Sequence, residues 1–416
     1  MVLVCRFRRS GSVKQEGMLQ SKREVNGMKQ VIHIYGASGS GTSTLGREIS
    51  KRLGYVFLDT DDFFWKRTNP MYSEKRSPEE AVTMIFEKIR TLDQVVLCGS
   101  LVDWGDELIK EFTLAVRLDT ETKVRLHRIK EREYEKFGAR ILPEGDMYEQ
   151  HLRFLEWAGK YDTGSAHMRS REKHDQWQKL LPCPQLNLSG EDPLEKNVEK
   201  IEDFLAFMEK TEVIKKLVES RFLGEASGHD VYHTLRVYRN ALMLAKETDC
   251  SLETVSLAAL LHDVDDEKLF QSKEHQFAKK FLEEAGISLD LQERVLEAIS
   301  TVSFKNRREK TPSTIEGMIV QDADRLDALG AIGIARTFAF GGSRGRAMYD
   351  PTEKPDLEMT PEEYRNSQGT SVNHFYEKLF LLKDLMNTEA AKEMAREREE
   401  FMRRFLEQFY QEWNGF

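Results

Sequence analysis

Two histidines and an aspartate in the second half of the chain are of the residue types that bind divalent metal ions. His262 and Asp263 directly follow the apolar run 252–261, which has the spacing of a helix. A charged pair in this place is costly to bury without a partner, and a cation would supply one. His233 shares a helical face with Val237, so it points toward the predicted core. Imidazoles and carboxylates together suit Mn, Fe, Ni, Zn or Mg.

Two neighbouring aspartates compete for the role of a further metal ligand. Residues 321–327 read Gln-Asp-Ala-Asp-Arg-Leu-Asp, so Asp322 and Asp324 are both candidates. Asp322 and Asp230 can alternatively be helix caps, a role that aspartate favours. An isolated histidine such as His275 is more simply a hydrogen-bonded core residue. The complete set of histidines and aspartates is harder to explain by packing alone, and it indicates a metal centre.

This set resembles the HD superfamily of metal-dependent phosphohydrolases, whose pattern is H…HD…D. The resemblance implies four metal ligands, namely His233, His262, Asp263 and Asp324. Asp324 is preferred over Asp322 because the family's last aspartate commonly precedes a basic and then a large apolar residue, as Arg325 and Leu326 do here. Residues 320–344 resemble one bacterial subgroup of small HD hydrolases, whose members include nucleotide pyrophosphohydrolases. The resemblance extends over residues 212–385.

The resemblance also implies a mechanism, in which a metal-bound water loses a proton and attacks phosphorus. Basic side chains would neutralise the growing phosphate charge; the candidates are Arg325, Lys305, Arg307, Arg336, Arg344 and Arg346. Proton transfer has three candidates, which are Asp266, His229 and His275. Asp265 and Asp266 stand where many HD proteins carry Gly-Lys, which leaves the proton donor open.

A glycine-rich segment in the first half has the character of a phosphate loop. Residues 36–43 read Gly-Ala-Ser-Gly-Ser-Gly-Thr-Ser and lie between a predicted strand and a predicted helix. Glycines allow a tight turn that points backbone N–H groups at phosphate oxygens, and the helix N-terminus adds a favourable dipole. Thr42 occupies the position of the usual lysine, which weakens the case for phosphoryl transfer more than the case for nucleotide binding. Arg47 or an arginine of a later helix can replace that charge.

Two further features accompany the loop. Asp59 and Asp61 follow the second predicted strand, where carboxylates face the ligand crevice of a parallel sheet; Asp59 or Thr60 can alternatively cap a helix. Three arginines share one face of a later helix, as in a lid or an ordinary solvated surface; they are Arg125, Arg128 and Arg132. The predicted nucleotide-binding residues are Gly36, Ser38, Gly39, Ser40, Gly41, Thr42, Ser43, Thr44, Asp59 and Asp61.

Residues 29–208 resemble the P-loop nucleotide and small-molecule kinases, the adenylate-kinase-like and shikimate-kinase-like group. Short apolar runs at 31–35, 55–58, 95–98, 114–118 and 185–188 alternate with helical stretches, which predicts an α/β fold with a parallel sheet. From about residue 210 the pattern becomes helix after helix, and 375–413 is a long helix or a helix pair. We therefore predict a P-loop domain (28–210) and an all-α HD domain (211–416), preceded by residues 1–27, which are either a disordered lead or a mis-called start.

Bulk properties narrow the function. The 416 residues carry a formal net charge of −9 and no apolar run of membrane-spanning length. The four cysteines form no C-x-x-C pair, which suits a reducing cytoplasm. We expect a nucleotide or small phosphorylated substrate, neither a membrane nor a nucleic acid as partner, and leave a homo-oligomer open. Expected cofactors are a divalent metal (Mn, Ni, Co, Fe or Mg) in the second half and ATP or GTP with Mg in the first.

Three functional hypotheses result. The first is an HD phosphohydrolase acting on a nucleotide or related phosphate ester or anhydride, fused to a nucleotide-binding domain. In the second, the P-loop domain binds a nucleotide without transferring phosphate and regulates the hydrolase, as Thr42 favours. The third is an interaction module with both sites lost, which the intact histidine–aspartate set disfavours.

Overall fold

The structure is a computed structural model that describes residues 29–223, 230–266, 275–300, 302, 311–359 and 369–416. The chain divides into two compact units between Phe204 and Leu205. Within the described ranges, no helix is both long enough and apolar enough to cross a membrane. Each unit has its own apolar core.

The first unit is built around a five-stranded parallel sheet with the strand order β2-β3-β1-β4-β5. The strands are β1 (Gln30–Gly36), β2 (Val56–Asp59), β3 (Gln94–Cys98), β4 (Leu114–Asp119) and β5 (Gln185–Ser189). The central strand β1 is buried from Val31 to Gly36, as expected where crossover helices cover a parallel sheet. The carboxyl end of β1 leads directly into the glycine-rich loop.

Seven α-helices lie among the described residues of this part of the chain. They are α1 (Thr42–Leu53), α2 (Thr60–Phe64), α3 (Pro78–Arg90), α4 (Thr122–Phe137), α5 (Tyr148–Gly159), α6 (Arg171–Gln178) and α7 (Leu194–Arg221). The stretch predicted as helical around 120–161 is two helices, because Gly138 takes a positive φ of 56° at the end of α4. Helix α7 extends past the unit boundary.

The regular elements among the described residues of the second unit are all helices. The further helices are α8 (Val231–Ala245), α9 (Leu252–Leu261), α10 (Gln276–Glu284), α11 (Leu289–Ser300), α12 (Ile315–Asp327), α13 (Gly330–Ser343), α14 (Asn373–Glu377) and α15 (Glu389–Trp413). Helix α9 is central: every residue from Thr254 to Leu261 is buried, and it packs on α8, α11 and α12. The segment predicted as a long helix or helix pair contains α14, two 3-10 turns and α15.

The predicted fold class is confirmed: a parallel α/β unit is followed by a helical unit. Side-chain caps explain several helix starts in the second unit, since Asp230, Ser251, Thr314 and Thr388 each accept a bond from a backbone N–H in the first turn. The capping interpretation of Asp230 is therefore the one that the structure shows. This cap fixes the first turn of α8, which carries His233.

Candidate functional sites

The end of α9 presents His262 and Asp263 to the interior of the second unit. The Nδ1 atom of His262 lies 2.8 Å from the carbonyl oxygen of Ala259. A carbonyl can only accept a hydrogen bond, so Nδ1 carries the proton and Nε2 carries the lone pair in the neutral ring. The side chain of His262 is 1% exposed. Backbone geometry at this helix end thus directs one imidazole lone pair into the protein.

Helices α8 and α12 bring further side chains to the same place. His233 Nε2 lies 3.4 Å from Asp263 Oδ2 and 3.4 Å from Asp324 Oδ1. His262 Nε2 lies 3.4 Å from Asp263 Oδ2. One potential ligand atom from each of His233, His262 and Asp324 falls within 4.8 Å of the others. The structure therefore gathers the four predicted metal-binding residues from three segments of the chain.

The electrostatics of this cluster are set by its carboxylates. Burial alone would lower the pKa of His262, but the Asp263 and Asp324 carboxylates and the Ala259 carbonyl together outweigh burial and raise that pKa to about 9. Burial also opposes protonation of His233, whose pKa is nevertheless raised by hydrogen bonds from its ring to Asp263 and Asp327. The surroundings of both imidazoles thus favour positive charge, which is the environment that suits a cation.

The donor set fits a divalent metal ion. Metal–ligand bonds of about 2.1 Å place neighbouring ligand atoms roughly 3 to 3.5 Å apart, and the three contacts between these side chains are 3.4 Å. Two imidazoles with two carboxylates suit Mn, Fe, Co, Ni, Zn or Mg. Both the spacing and the negative charge of the cluster are therefore compatible with a bound divalent cation.

One buried carboxylate beside the cluster was given no role in the sequence analysis. Asp327, at the end of α12, accepts a hydrogen bond from His233 Nδ1 at 2.7 Å. It also accepts bonds from Arg236 Nε at 2.6 Å and from Arg336 Nη1 at 2.5 Å. Burial alone would raise the pKa of Asp327, but these partners hold it well below the ordinary range. The available signal was its position three residues after Asp324, which puts both on one side of the helix.

The two neighbours of Asp324 in sequence face elsewhere. Asp322 is fully buried and accepts bonds from the backbone N–H groups of Asn387 and Thr388, each at 2.8 Å. It therefore caps the approach to α15. The Arg325 guanidinium is also buried, donates to the Leu385 carbonyl and lies 4.0 Å from Asp322. Among the described contacts, the structure gives Arg325 no direct contact with the cluster.

The proton-transfer candidates are placed differently. Asp266 is half-buried, three residues after Asp263. Its neighbour Asp265 accepts bonds from the backbone N–H groups of Phe277 and Ala278, so it stabilises the start of α10. His275 adopts a positive φ of 56° directly before α10. Three residues named in the sequence analysis lie outside the described residues, namely His229, Lys305 and Arg307.

The phosphate loop of the first unit depends on three glycines. Gly39 and Gly41 have φ values of 82° and 103°, which L side chains rarely adopt. A Cβ at Gly36 would lie 2.4 Å from the carbonyl oxygen of Leu118, and one at Gly39 would lie 2.6 Å from that of Arg125. The loop therefore lies directly against β4 and α4. Helix α1 begins at Thr42 with no side-chain cap, which leaves its first N–H groups available to a ligand.

Asp59 links the loop to the end of β2. Its Oδ2 accepts a hydrogen bond from Ser43 Oγ at 3.0 Å, and its Oδ1 accepts one from the backbone N–H of Asp61 at 3.1 Å. Asp59 thus caps α2 and also contacts the hydroxyl expected to bind magnesium. Asp61 lies at the start of α2 and is exposed, while Thr44 is exposed in the first turn of α1.

The arginines near the loop hold its backbone. Arg125 is fully buried and donates to the carbonyls of Ser38 and Ala158 at 3.3 and 3.2 Å. Arg128 donates to the carbonyls of Ser40 and Gly190 at 3.4 and 3.0 Å. These two residues support the loop from α4 and are not a solvated face.

The other two arginines considered in the sequence lie differently. Arg132 is 59% exposed. The Arg47 guanidinium stacks 4.3 Å above the Phe57 ring, so it is directed away from the loop backbone.

Fold and site together define a two-unit protein: a P-loop kinase-like α/β unit and a helical hydrolase unit around a histidine–aspartate cluster. The HD domain family model matches residues 230–329, and an AAA domain model matches residues 32–149. YpgQ of Bacillus subtilis is 36% identical over 212 residues, covering 50% of this chain and 96% of the relative. YqaC of the same organism is 37% identical over 179 residues, covering 43% of this chain and 99% of the relative.

A solved HD-superfamily hydrolase from Bacillus thuringiensis is 43% identical, and the match covers 50% of this chain and 100% of that one with a TM-score of 0.41. The chain belongs to the HD superfamily of hydrolases through its second half, and its first half is an AAA domain of P-loop kinase-like type.

Proposed function

We propose that the helical unit is a metal-dependent phosphohydrolase that cleaves a nucleotide or a related phosphate ester or anhydride. The observation that carries this proposal is the convergence of two imidazoles and two carboxylates from three segments, at spacings that suit one divalent ion. The proposed ligands are His233, His262, Asp263 and Asp324. Packing of a single buried histidine would not account for two carboxylates gathered around the imidazoles.

An ion bound there would acidify a water molecule and polarise a phosphoryl oxygen. Other groups of the protein orient the two histidine ligands. His262 is oriented by the Ala259 carbonyl, and His233 by Asp327. Arg336 is paired with Asp327 and lies 3.4 Å from His233 Nδ1, on the opposite side of the ring from Nε2, so it belongs to the group that holds the ring. Asp266 and His229 remain our candidates for proton transfer, and Arg325 can stabilise a phosphate only if its side chain leaves the Leu385 carbonyl.

For the first unit we propose binding of ATP or GTP with magnesium. The uncapped start of α1, the positive φ values of Gly39 and Gly41 and the Ser43–Asp59 contact support this. With Thr42 in place of lysine, we expect slow or undetectable phosphoryl transfer. The alternative function is a nucleotide sensor that regulates the hydrolase. We retain residues 28–210 and 211–416 as the functional domains.

The hydrolase proposal is tested with the full-length chain against a panel of nucleotides and phosphate esters. Each compound is assayed for released phosphate or pyrophosphate with Mn, Ni, Co, Fe or Mg, and again with a chelator. We expect cleavage that requires an added ion and is lost in His262→Ala and in Asp324→Ala. A panel without any cleaved compound under every metal would make the unit a binding module.

The sensor alternative needs a separate measurement. ATP or GTP is added to the hydrolase assay of the unchanged chain and of a Gly39→Ala variant. A sensor changes the hydrolysis rate only when the phosphate loop is intact. Rapid ATP consumption by the Asp324→Ala variant, whose hydrolase is expected to be inactive, would instead indicate phosphoryl transfer by the first unit.

A further inference from the structure

Asp327 is a buried carboxylate that no proposed catalytic step uses. Its side chain is 2% exposed, and it faces α8 from the end of α12. Its Oδ2 lies 2.7 Å from His233 Nδ1. Such a short contact to a carboxylate is a charge-assisted hydrogen bond, in which the ring nitrogen donates.

Two arginines keep this carboxylate in place. Arg236 binds both oxygens in the fork geometry, with Nε 2.6 Å from Oδ1 and Nη2 2.9 Å from Oδ2. Arg336 Nη1 lies 2.5 Å from Oδ2. With His233, four N–H groups from three side chains converge on the two oxygens of Asp327, which therefore accepts hydrogen bonds and donates none.

The consequence for His233 concerns its tautomer. Because Asp327 accepts a hydrogen bond from Nδ1, that nitrogen carries the proton, and the lone pair of the neutral ring must lie on Nε2. That nitrogen is the atom 3.4 Å from both Asp263 and Asp324. The weaker contact from Arg336 to His233 Nδ1, at 3.4 Å, does not compete with a carboxylate at 2.7 Å.

We propose that Asp327 is a positioning residue for the metal centre, which fixes the ring orientation and tautomer of His233. The inference rests on the proposed metal site but not on any particular substrate. The two histidines are then oriented in different ways: His262 by a neutral backbone carbonyl and His233 by an ionised carboxylate bound to two arginines. Partners of this kind raise ligand basicity as well as fix geometry.

The test is a Mn²⁺ titration of the full-length chain, with free ion followed by electron paramagnetic resonance. Asp327→Asn removes the charge and can offer an amide N–H to Nδ1, which would move the lone pair to the wrong nitrogen. We expect Mn²⁺ affinity about 10- to 100-fold weaker than in the unchanged chain. Circular dichroism and the melting temperature, measured on the same samples, report whether the fold is retained.

Asp322→Asn is the matched control. Asp322 is an equally buried carboxylate on the same helix, but it binds Asn387 and Thr388 and not a histidine. This variant should lower the melting temperature and leave Mn²⁺ affinity unchanged. Equal losses of Mn²⁺ affinity in the two variants would show that removing the charge of any buried carboxylate on this helix weakens binding. That result would overturn the inference.

A second variant covers the case in which Asp327→Asn does not fold. Asp327→Glu keeps the charge but moves the accepting oxygen by one methylene, so the inference predicts weakened Mn²⁺ binding here too. Mn²⁺ affinity equal to that of the unchanged chain, in either folded variant, contradicts a positioning role. If the unchanged chain binds Mn²⁺ but cleaves no phosphate compound, the proposed activity is wrong. The Mn²⁺ affinities of the variants still decide whether Asp327 positions His233.

Discussion

The candidate sites of the two units are built from different parts of the chain. The loop of the first unit is mainly backbone, and its glycines matter because they lack side chains: at Gly36 and Gly39 a Cβ would lie 2.4 and 2.6 Å from carbonyl oxygens. The cluster of the second unit is made of side chains that come from residues 233, 262–263 and 324. A backbone site can be contiguous in sequence, whereas a metal site of this kind needs a folded core to assemble it.

Buried histidines make the same contrast at finer scale. In the first unit, burial lowers the pKa of His33 and of His174 to about 3. In the second unit, His262 is as deeply buried, yet carboxylates raise its pKa to about 9. Burial alone therefore does not mark a functional histidine. Neighbouring charge distinguishes the two cases, because only the carboxylate-rich environment of His262 favours a positive charge.

The largest expected effect is the loss of the metal ion when one of its proposed ligands is removed. Asp324→Ala removes a carboxylate 3.4 Å from His233 Nε2 and should abolish divalent-metal binding and metal-dependent hydrolysis together. Metal content is measured by elemental analysis after dialysis, with melting temperature as the check on folding. Asp322→Ala, on the same helix, should reduce stability by about 1 to 3 kcal/mol while the metal is retained. Loss of metal from Asp322→Ala alone would reverse the choice of ligand.

The second-largest expected effect is the loss of nucleotide binding by the first unit in a Gly39→Ala variant. Gly39→Ala combines a left-handed φ of 82° with a Cβ 2.6 Å from the Arg125 carbonyl oxygen, so the loop must move. Gly54→Ala is the control, since Gly54 has a φ of 78° but nothing lies within 4 Å of its Cβ position. We expect ATP binding, measured by calorimetry, to disappear only in Gly39→Ala. Normal ATP binding by that variant would exclude the loop as the phosphate site.

A smaller effect, a gain in ATP affinity, is expected when the usual lysine of the loop is restored. Thr42→Lys adds a positive charge at the start of α1, where no described side chain caps the helix. A partly solvated charge pair contributes about 1 to 2 kcal/mol, so ATP affinity should rise roughly tenfold. Thr44→Lys, two residues along in the same turn, is the control for nonspecific attraction. Equal gains in both variants would mean that the effect is general charge and not replacement of the missing lysine.

Sequence patterns predicted the fold class because both units follow strong periodicities: strands alternating with helices, then helices alone. The loop and the HD pair were visible because each is nearly contiguous. Asp327 was not assigned a role, since nothing in the spacing shows that it contacts His233, 94 residues away. The opposite problem affects Arg325, whose type and place suggest phosphate, although its side chain is directed to the Leu385 carbonyl. Side-chain direction depends on tertiary packing.

The smallest effect, counted per pH unit, concerns the acid stability of the first unit. His174 is fully buried, with Nε2 3.0 Å from Ser100 Oγ and Nδ1 2.8 Å from Tyr161 Oη. Burial, with help from nearby Arg169, lowers its pKa to about 3. The unfolded chain, with an ordinary histidine pKa near 6.5, then binds more protons than the folded one between pH 6.5 and 3. The free energy of unfolding therefore falls as pH decreases through this window.

His174→Gln should remove one such contribution. The slope of unfolding free energy with pH should fall by up to about 1.4 kcal/mol per pH unit between pH 6 and pH 4, relative to the unchanged chain. Urea titrations followed by tryptophan fluorescence report mainly the first unit, because four of the five tryptophans lie there. His127→Gln, at a side chain that is 71% exposed, should leave the slope unchanged. An unaltered slope in His174→Gln would mean that His174 does not resist protonation, and the contrast between the two sets of buried histidines would then rest on His33 alone.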